Sequence, residues 1–224
     1  MGHDITLTAS DGFKPGGYRA DPSDAPKAAV VVIQEIFGVN YHIRAVCDRI
    51  AGHGYVAIAP SIFDRIEPNF QCGYSPDEVA IARKFVANPD WAAMLLDTQA
   101  AIDAVKSAGP VGIVGYCLGG SVAYAAATKL SGLSAAIGFY GGAIVRFADD
   151  KPKVPTQLHF GEKDAGIPLS DVETIRAKRP DVEIHIYAGA QHGFNCEERA
   201  SYDKASADVA RARSLEFFKK HLTA

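Results

Sequence analysis

The chain has 224 residues, 48 % of them hydrophobic and 22 % charged, the proportions of one ordinary α/β domain with a substantial core. A net charge of −3 and a pI near 6.2 leave no basic stripe, which argues against nucleic-acid binding. No apolar run approaches the ~20 residues of a membrane span, and Met1 to Lys14 lacks the apolar core of a secretory signal, so a cytoplasmic protein without membrane contact is expected.

The predicted elements alternate between strand and helix. Ile5-Thr6-Leu7-Thr8 alternates like an edge strand, a simpler reading of the N-terminus than the loose myristoylation pattern that begins at Met1-Gly2. Ala28 to Ile33 is a β-branched apolar run, followed by a helix around Tyr41 to Gly52 and a strand from Tyr55 to Ala59 that Pro60 halts. Ser75-Pro76-Asp77-Glu78 opens a helix with a serine cap, proline at the first position and acids in the first turn, and Asn88-Pro89 closes it. A second helix, about Asp90 to Ser107, carries Trp91, Met94, Leu95, Ala101, Ile102 and Val105 at helical spacing.

Further strands are expected at Val111 to Tyr116, Ala135 to Tyr140, Thr156 to Phe160 and Glu183 to Tyr187, with helices at Leu118 to Leu130, Ser170 to Lys178 and Ser201 to His221. The last helix presents Val209, Leu215, Phe217 and Phe218 as its apolar side. Nearly continuous apolar strands separated by helices imply a mostly parallel sheet covered on both faces. There is no internal repeat, low-complexity tract or dividing linker, so residues 1–224 read as a single α/β domain. No heptad or apolar stripe argues against a monomer.

Chemistry concentrates at Gly115-Tyr116-Cys117-Leu118-Gly119-Gly120, which has the shape of the nucleophile elbow G-x-S-x-G with a thiol in the serine's place. The glycines let the strand turn sharply into a helix whose positive end faces the sulfur. Such a nucleophile needs a base, and the base an orienting acid, in the chain order nucleophile, acid, histidine. Asp164 lies in the glycine-rich loop after the strand Thr156 to Phe160, and His192 in the glycine-flanked loop after Glu183 to Tyr187. Both follow strand C-termini, where open parallel sheets place their sites. The other histidines carry no such signal: His3 and His221 are terminal, His42 and His53 flank a helix, and His159 and His185 lie in strands.

An oxyanion hole would use the backbone N–H of Leu118 and one from Gln34-Glu35-Ile36-Phe37-Gly38-Val39-Asn40, where Ile36 is the natural donor. Glu35 precedes it, and a carboxylate buried beside a thiol must be paired with a cation or a proton. It would then be able to exchange a proton with Cys117 and tune its ionisation. The four cysteines, Cys47, Cys72, Cys117 and Cys196, show neither a C-x-x-C pair nor zinc spacing, so reduced thiols and no metal or cofactor are expected. Cys47 reads as core, and Cys196 falls near the site.

The Gln34 to Asn40 and Gly115 to Gly120 segments, with Gly161-Glu162-Lys163-Asp164 and Ala190-Gln191-His192-Gly193-Phe194, resemble the motifs of the dienelactone hydrolases, cysteine-dependent α/β-hydrolases, across the whole chain. The resemblance implies an α/β-hydrolase fold and hydrolysis of a small lactone or ester, with carboxymethylenebutenolidase activity giving maleylacetate as the leading case. It implies Cys117 as nucleophile, His192 as acid-base, Asp164 as its orienter and Glu35 as the carboxylate that helps form the thiolate when substrate arrives. Phe37, Arg83, Tyr140 and Arg199 are the expected substrate contacts. Cys196 stands close to where the family has an arginine that grips the substrate's carboxylate, so a related hydrolase acting on a substrate without a carboxylate is the alternative. A redox-sensing thiol protein, with Cys117 and Cys196 able to pair, is a third reading.

Overall fold

The computed structural model describes residues 2–222, and in it the apolar runs lie side by side at the centre of an eight-stranded sheet ordered β1-β2-β4-β3-β5-β6-β7-β8. The strands are β1 (His3–Thr6), β2 (Gly16–Ala20), β3 (Ala28–Ile33), β4 (Tyr55–Pro60), β5 (Val111–Tyr116), β6 (Leu133–Phe139), β7 (Thr156–Gly161) and β8 (Glu183–Tyr187). β3 to β8 run parallel, while β1 and β2 add antiparallel to the edge beside β4. This is an α/β-hydrolase architecture with a mostly parallel sheet.

The helices are α1 (Tyr41–Gly52), α2 (Pro76–Lys84), α3 (Trp91–Val105), α4 (Leu118–Lys129), α5 (Ile144–Phe147), α6 (Leu169–Lys178) and α7 (Lys204–His221). Alternation along β3 shows how they cover the sheet. Val30 and Val32 face the layer that holds Val46 and Cys47 of α1 and Phe217 and Phe218 of α7. Ala29, Val31 and Ile33 face the layer built from Met94, Ala101 and Ile102 of α3 and Val122 and Ala126 of α4. Among the described residues no helix is long and apolar enough to cross a membrane.

Local chemistry accounts for most helix bounds. Asn40 caps α1 by accepting the N–H of Ile43, and Ser75 and Glu78 cap α2 reciprocally. Expectation and structure differ at several points. β2 carries no apolar run and takes its strand form from pairing on both sides. The short α5 lacks the length for a periodic signal. β1 ends at Thr6, two residues before the expected alternation, and Met1 of the myristoylation pattern lies outside the described residues.

The helix after Ser75 stops at Lys84, where the chain tightens into i→i+3 backbone hydrogen bonds from Phe85, Val86 and Ala87, and Phe85 stacks on Phe70 with ring centroids 3.9 Å apart. α7 begins at Lys204, where the Asp203 side chain accepts the N–H of Ser206, while the Ser201 hydroxyl donates to the His192 carbonyl. Val209 is exposed and does not share the apolar side of that helix. It lies about half a turn around the axis from Phe218, and Ala207 and Ala210 take the buried positions instead.

Candidate active site

Four parallel strands deliver the expected side chains to one rim. Glu35 and Ile36 follow β3, Cys117 follows β5, Asp164 follows β7 and His192 follows β8. At the end of β5 the chain turns into α4 within one residue, Cys117, whose φ of 56° and ψ of −115° are unusual for any residue with a side chain. The turn closes tightly enough that a Cβ on Gly115 would sit 1.8 Å from the carbonyl oxygen of Gly119. Leu118 opens α4, so its N–H has no acceptor within the helix.

The Cys117 sulfur lies 3.1 Å from Nε2 of His192, whose Nδ1 lies 2.7 Å from Oδ2 of Asp164. Asp164 is buried, and its other oxygen accepts the N–H of Gly166 at 2.9 Å, which fixes the carboxylate plane. The histidine loop is held by Ser201, whose hydroxyl donates to the His192 carbonyl at 2.6 Å. Burial disfavours a charged imidazole, but the neighbouring sulfur and the Asp164 carboxylate outweigh it and hold His192 up to about 10.

Glu35 is 1 % exposed, and the cation it requires is Arg199, whose Nη1 donates to Oε1 at 2.9 Å. The Tyr74 hydroxyl donates to Oε2 at 3.4 Å. Among the described residues, therefore, Glu35 is hydrogen-bonded to Arg199 and Tyr74, while Cys117 is turned to His192. Two further side chains stand by Glu35: His42 of α1 and Cys196, both buried, with one ligand atom of each of the three within 4.8 Å of the others. Among the described residues these three form a close cluster of potential ligand atoms.

A cavity of about 520 Å³ opens over the sulfur, lined by Ile36, Phe37, Arg83, Lys163, His192 and Arg199 among others. A second, of about 660 Å³, continues past Phe37 and Arg199 to Tyr41, Tyr74 and Glu198. Phe37, Arg83 and Arg199 thus line the space beside the sulfur. Tyr140 does not. Its backbone leaves β6 with φ of 37°, and its fully buried ring packs on His192 at 5.1 Å between centroids. It forms a wall behind the imidazole instead of a contact surface in the cavity.

Sequence reasoning missed Lys163, Val79 and Val86 as cavity residues. A signal existed for the last two, since Val79, Arg83 and Val86 recur at i, i+4 and i+7 on α2 and on the turn that follows it. For Lys163 the signal was adjacency to Asp164.

A model of the dienelactone hydrolase family matches residues 16–222. A protein of Synechocystis sp. that bears a provisional carboxymethylenebutenolidase name is 36 % identical, the match covering 92 % of each chain. The carboxymethylenebutenolidase of Pseudomonas putida is 30 % identical over 95 % of this chain and 94 % of its own. A crystal structure from Klebsiella pneumoniae, provisionally described as a dienelactone hydrolase, superposes with a TM-score of 0.85 at 32 % identity, covering 97 % of this chain and 99 % of that one.

Proposed function

The chain belongs to the dienelactone hydrolase family, and from that premise we propose that it hydrolyses a small lactone or ester through an acyl-cysteine intermediate on Cys117. The observation that carries this reading is the unbroken line from sulfur to imidazole to carboxylate, 3.1 Å and 2.7 Å long.

The Cys117 thiol passes its proton to Nε2 of His192, 3.1 Å away, which leaves a thiolate beside an imidazolium. The thiolate attacks the substrate carbonyl, and the developing oxyanion is received by the N–H groups of Ile36 and Leu118. His192 then gives its proton to the departing oxygen, leaving a thioester. A water molecule loses a proton to the same imidazole, attacks the thioester and releases the acid and the free sulfur. Asp164 holds the ring in register and stabilises its charged form. Glu35 assists thiolate formation as substrate enters and loosens its pairing with Arg199.

Arg83, Lys163 and Arg199 place positive charge around the cavity, which favours a lactone bearing a carboxylate, as carboxymethylenebutenolidase activity requires. One observation favours a second reading, a neutral ester substrate: Arg199 is already engaged by Glu35 at 2.9 Å.

Substrate assays with variants test both the chemistry and the specificity. Cys117→Ala abolishes turnover, and His192→Ala lowers kcat by about 10²–10⁴. Mass spectrometry finds the acyl group on residue 117 in rapidly quenched wild-type enzyme. Full activity in Cys117→Ala rejects the proposal. A dienelactone hydrolysed much faster than a neutral aryl ester supports the anionic substrate, and the opposite ranking supports the neutral one.

A further inference from the structure

Glu35, His42 and Cys196 come from three separate segments, the loop after β3, the second residue of α1 and the loop after β8. Their exposures are 1 %, 2 % and 0 %, and their ligand atoms lie within 4.8 Å of one another. His42 supplies the second observation. Its Nε2 is buried and has no hydrogen-bond partner among the described residues, a costly state for a polar atom in a packed interior. Cys196 is a free thiol.

We propose that these three side chains form a site for a borderline-soft divalent cation of the zinc class. The donor set of one thiolate, one imidazole and one carboxylate suits zinc or cadmium, whereas magnesium and calcium require several more oxygens. Ligands at ~2.0–2.3 Å from a tetrahedral ion stand roughly 3.3–3.7 Å apart. The side chains therefore need to close by at most about 1–1.5 Å.

On binding, the Cys196 thiol gives its proton to solvent, so thiolate and carboxylate balance the ion's two charges. His42 contributes the lone pair of a ring nitrogen. Water or the Tyr74 hydroxyl, which already lies 3.4 Å from Glu35, completes the coordination. Tyr74 and Arg199, both hydrogen-bonded to Glu35, also line the second cavity, so one layer of side chains separates the site from that opening. Because Glu35 is shared, a bound ion competes with Arg199 for that carboxylate. No local C-x-x-C or H-x-x-x-H spacing announces the site, since its members are far apart in sequence and meet through folding alone.

The test uses the full chain with Cys72→Ser and Cys117→Ser, which removes the two partly exposed sulfurs as rival ligands and makes the outcome independent of the proposed hydrolysis. Cadmium titration of this protein should show one equivalent bound with the ultraviolet charge-transfer band of a cadmium thiolate, and zinc should displace it. Adding Cys196→Ala removes the band. Adding His42→Asn or Glu35→Gln weakens binding by about tenfold or more. Circular dichroism identifies variants that are folded, and each arm is read only on those. Absence of uptake, a band that survives Cys196→Ala, or affinity unchanged by both His42→Asn and Glu35→Gln overturns the proposal.

Discussion

Cys117 holds a φ of 56° that glycine adopts freely and that costs other residues about 1–3 kcal/mol. That strain aims the sulfur out of the turn, so relieving it should separate stability from activity. Both Cys117→Ala and Cys117→Gly are expected to be inactive, but the glycine variant should be more stable than the alanine variant by about 1 kcal/mol in urea unfolding. Equal stabilities would mean that the elbow stores no strain at this residue. Arg199 offers a second case. Replacing it with methionine leaves Glu35 buried without its cation, and loss of one partner of a buried pair costs about 3–5 kcal/mol. Because Arg199 keeps 23 % of its side chain exposed, the lower end is expected, and Glu35→Gln added to Arg199→Met should restore most of the loss. A double variant as unstable as Arg199→Met alone would show that the guanidinium acts through packing. That Glu35 needed a charge partner was legible from its place beside a thiol. The partner's identity was not, because Arg199 lies 164 positions along the chain.

Among the elements, β3, β5 and β8 and the helix α1 have the expected bounds, since apolar runs and caps are local signals. β2 was not legible, because an edge segment reading Gly-Gly-Tyr-Arg-Ala becomes a strand only through its neighbours. The packing of β7, β8 and α7 also hid a polar network. His159, fully buried, meets the Tyr187 hydroxyl at 2.8 Å and the Gln157 side-chain oxygen at 2.9 Å, with Ser214 of α7 at 3.3 Å. Burial pushes His159 well below the usual histidine range, and it lowers His42 as well. Each binds its proton more readily in the unfolded chain, so stability should fall as pH drops below the ordinary value of 6.5. His192 has the opposite sign and does not confound this window, because its raised value makes its contribution constant below 6.5 and lost only as pH rises towards about 10. Urea unfolding at pH 6.5 and 5.5 should show a loss of roughly 1–2 kcal/mol in total. His159→Gln should reduce the slope while lowering stability at both values. An unchanged slope would assign the pH dependence to other groups.

Across the whole molecule, the parallel sheet does the work of assembly, because every strand from β3 to β8 ends at the same rim. The meeting of Cys117, Asp164 and His192 at one rim was therefore legible from a rule that needs only order and strand ends. Lys163 and the His42–Cys196 pairing with Glu35 were not, since they depend on distances that no spacing rule encodes. The same convergence produces a charge contrast: the chain carries a net −3, yet Arg83, Lys163 and Arg199 surround the cavity. A positive mouth on a negative body attracts an anionic substrate only over distances that salt leaves unscreened. The Debye length shrinks from about 30 Å at 0.01 M to about 8 Å at 0.15 M ionic strength. For an anionic lactone, kcat/KM should fall by roughly tenfold across that range, within the span typical of electrostatic steering. Lys163→Gln should flatten the response, while a neutral aryl ester should show almost none in either protein. Were both substrates to respond alike, salt would be acting on the protein's own stability or on Glu35–Arg199, and the cationic rim would have no part in choosing the substrate.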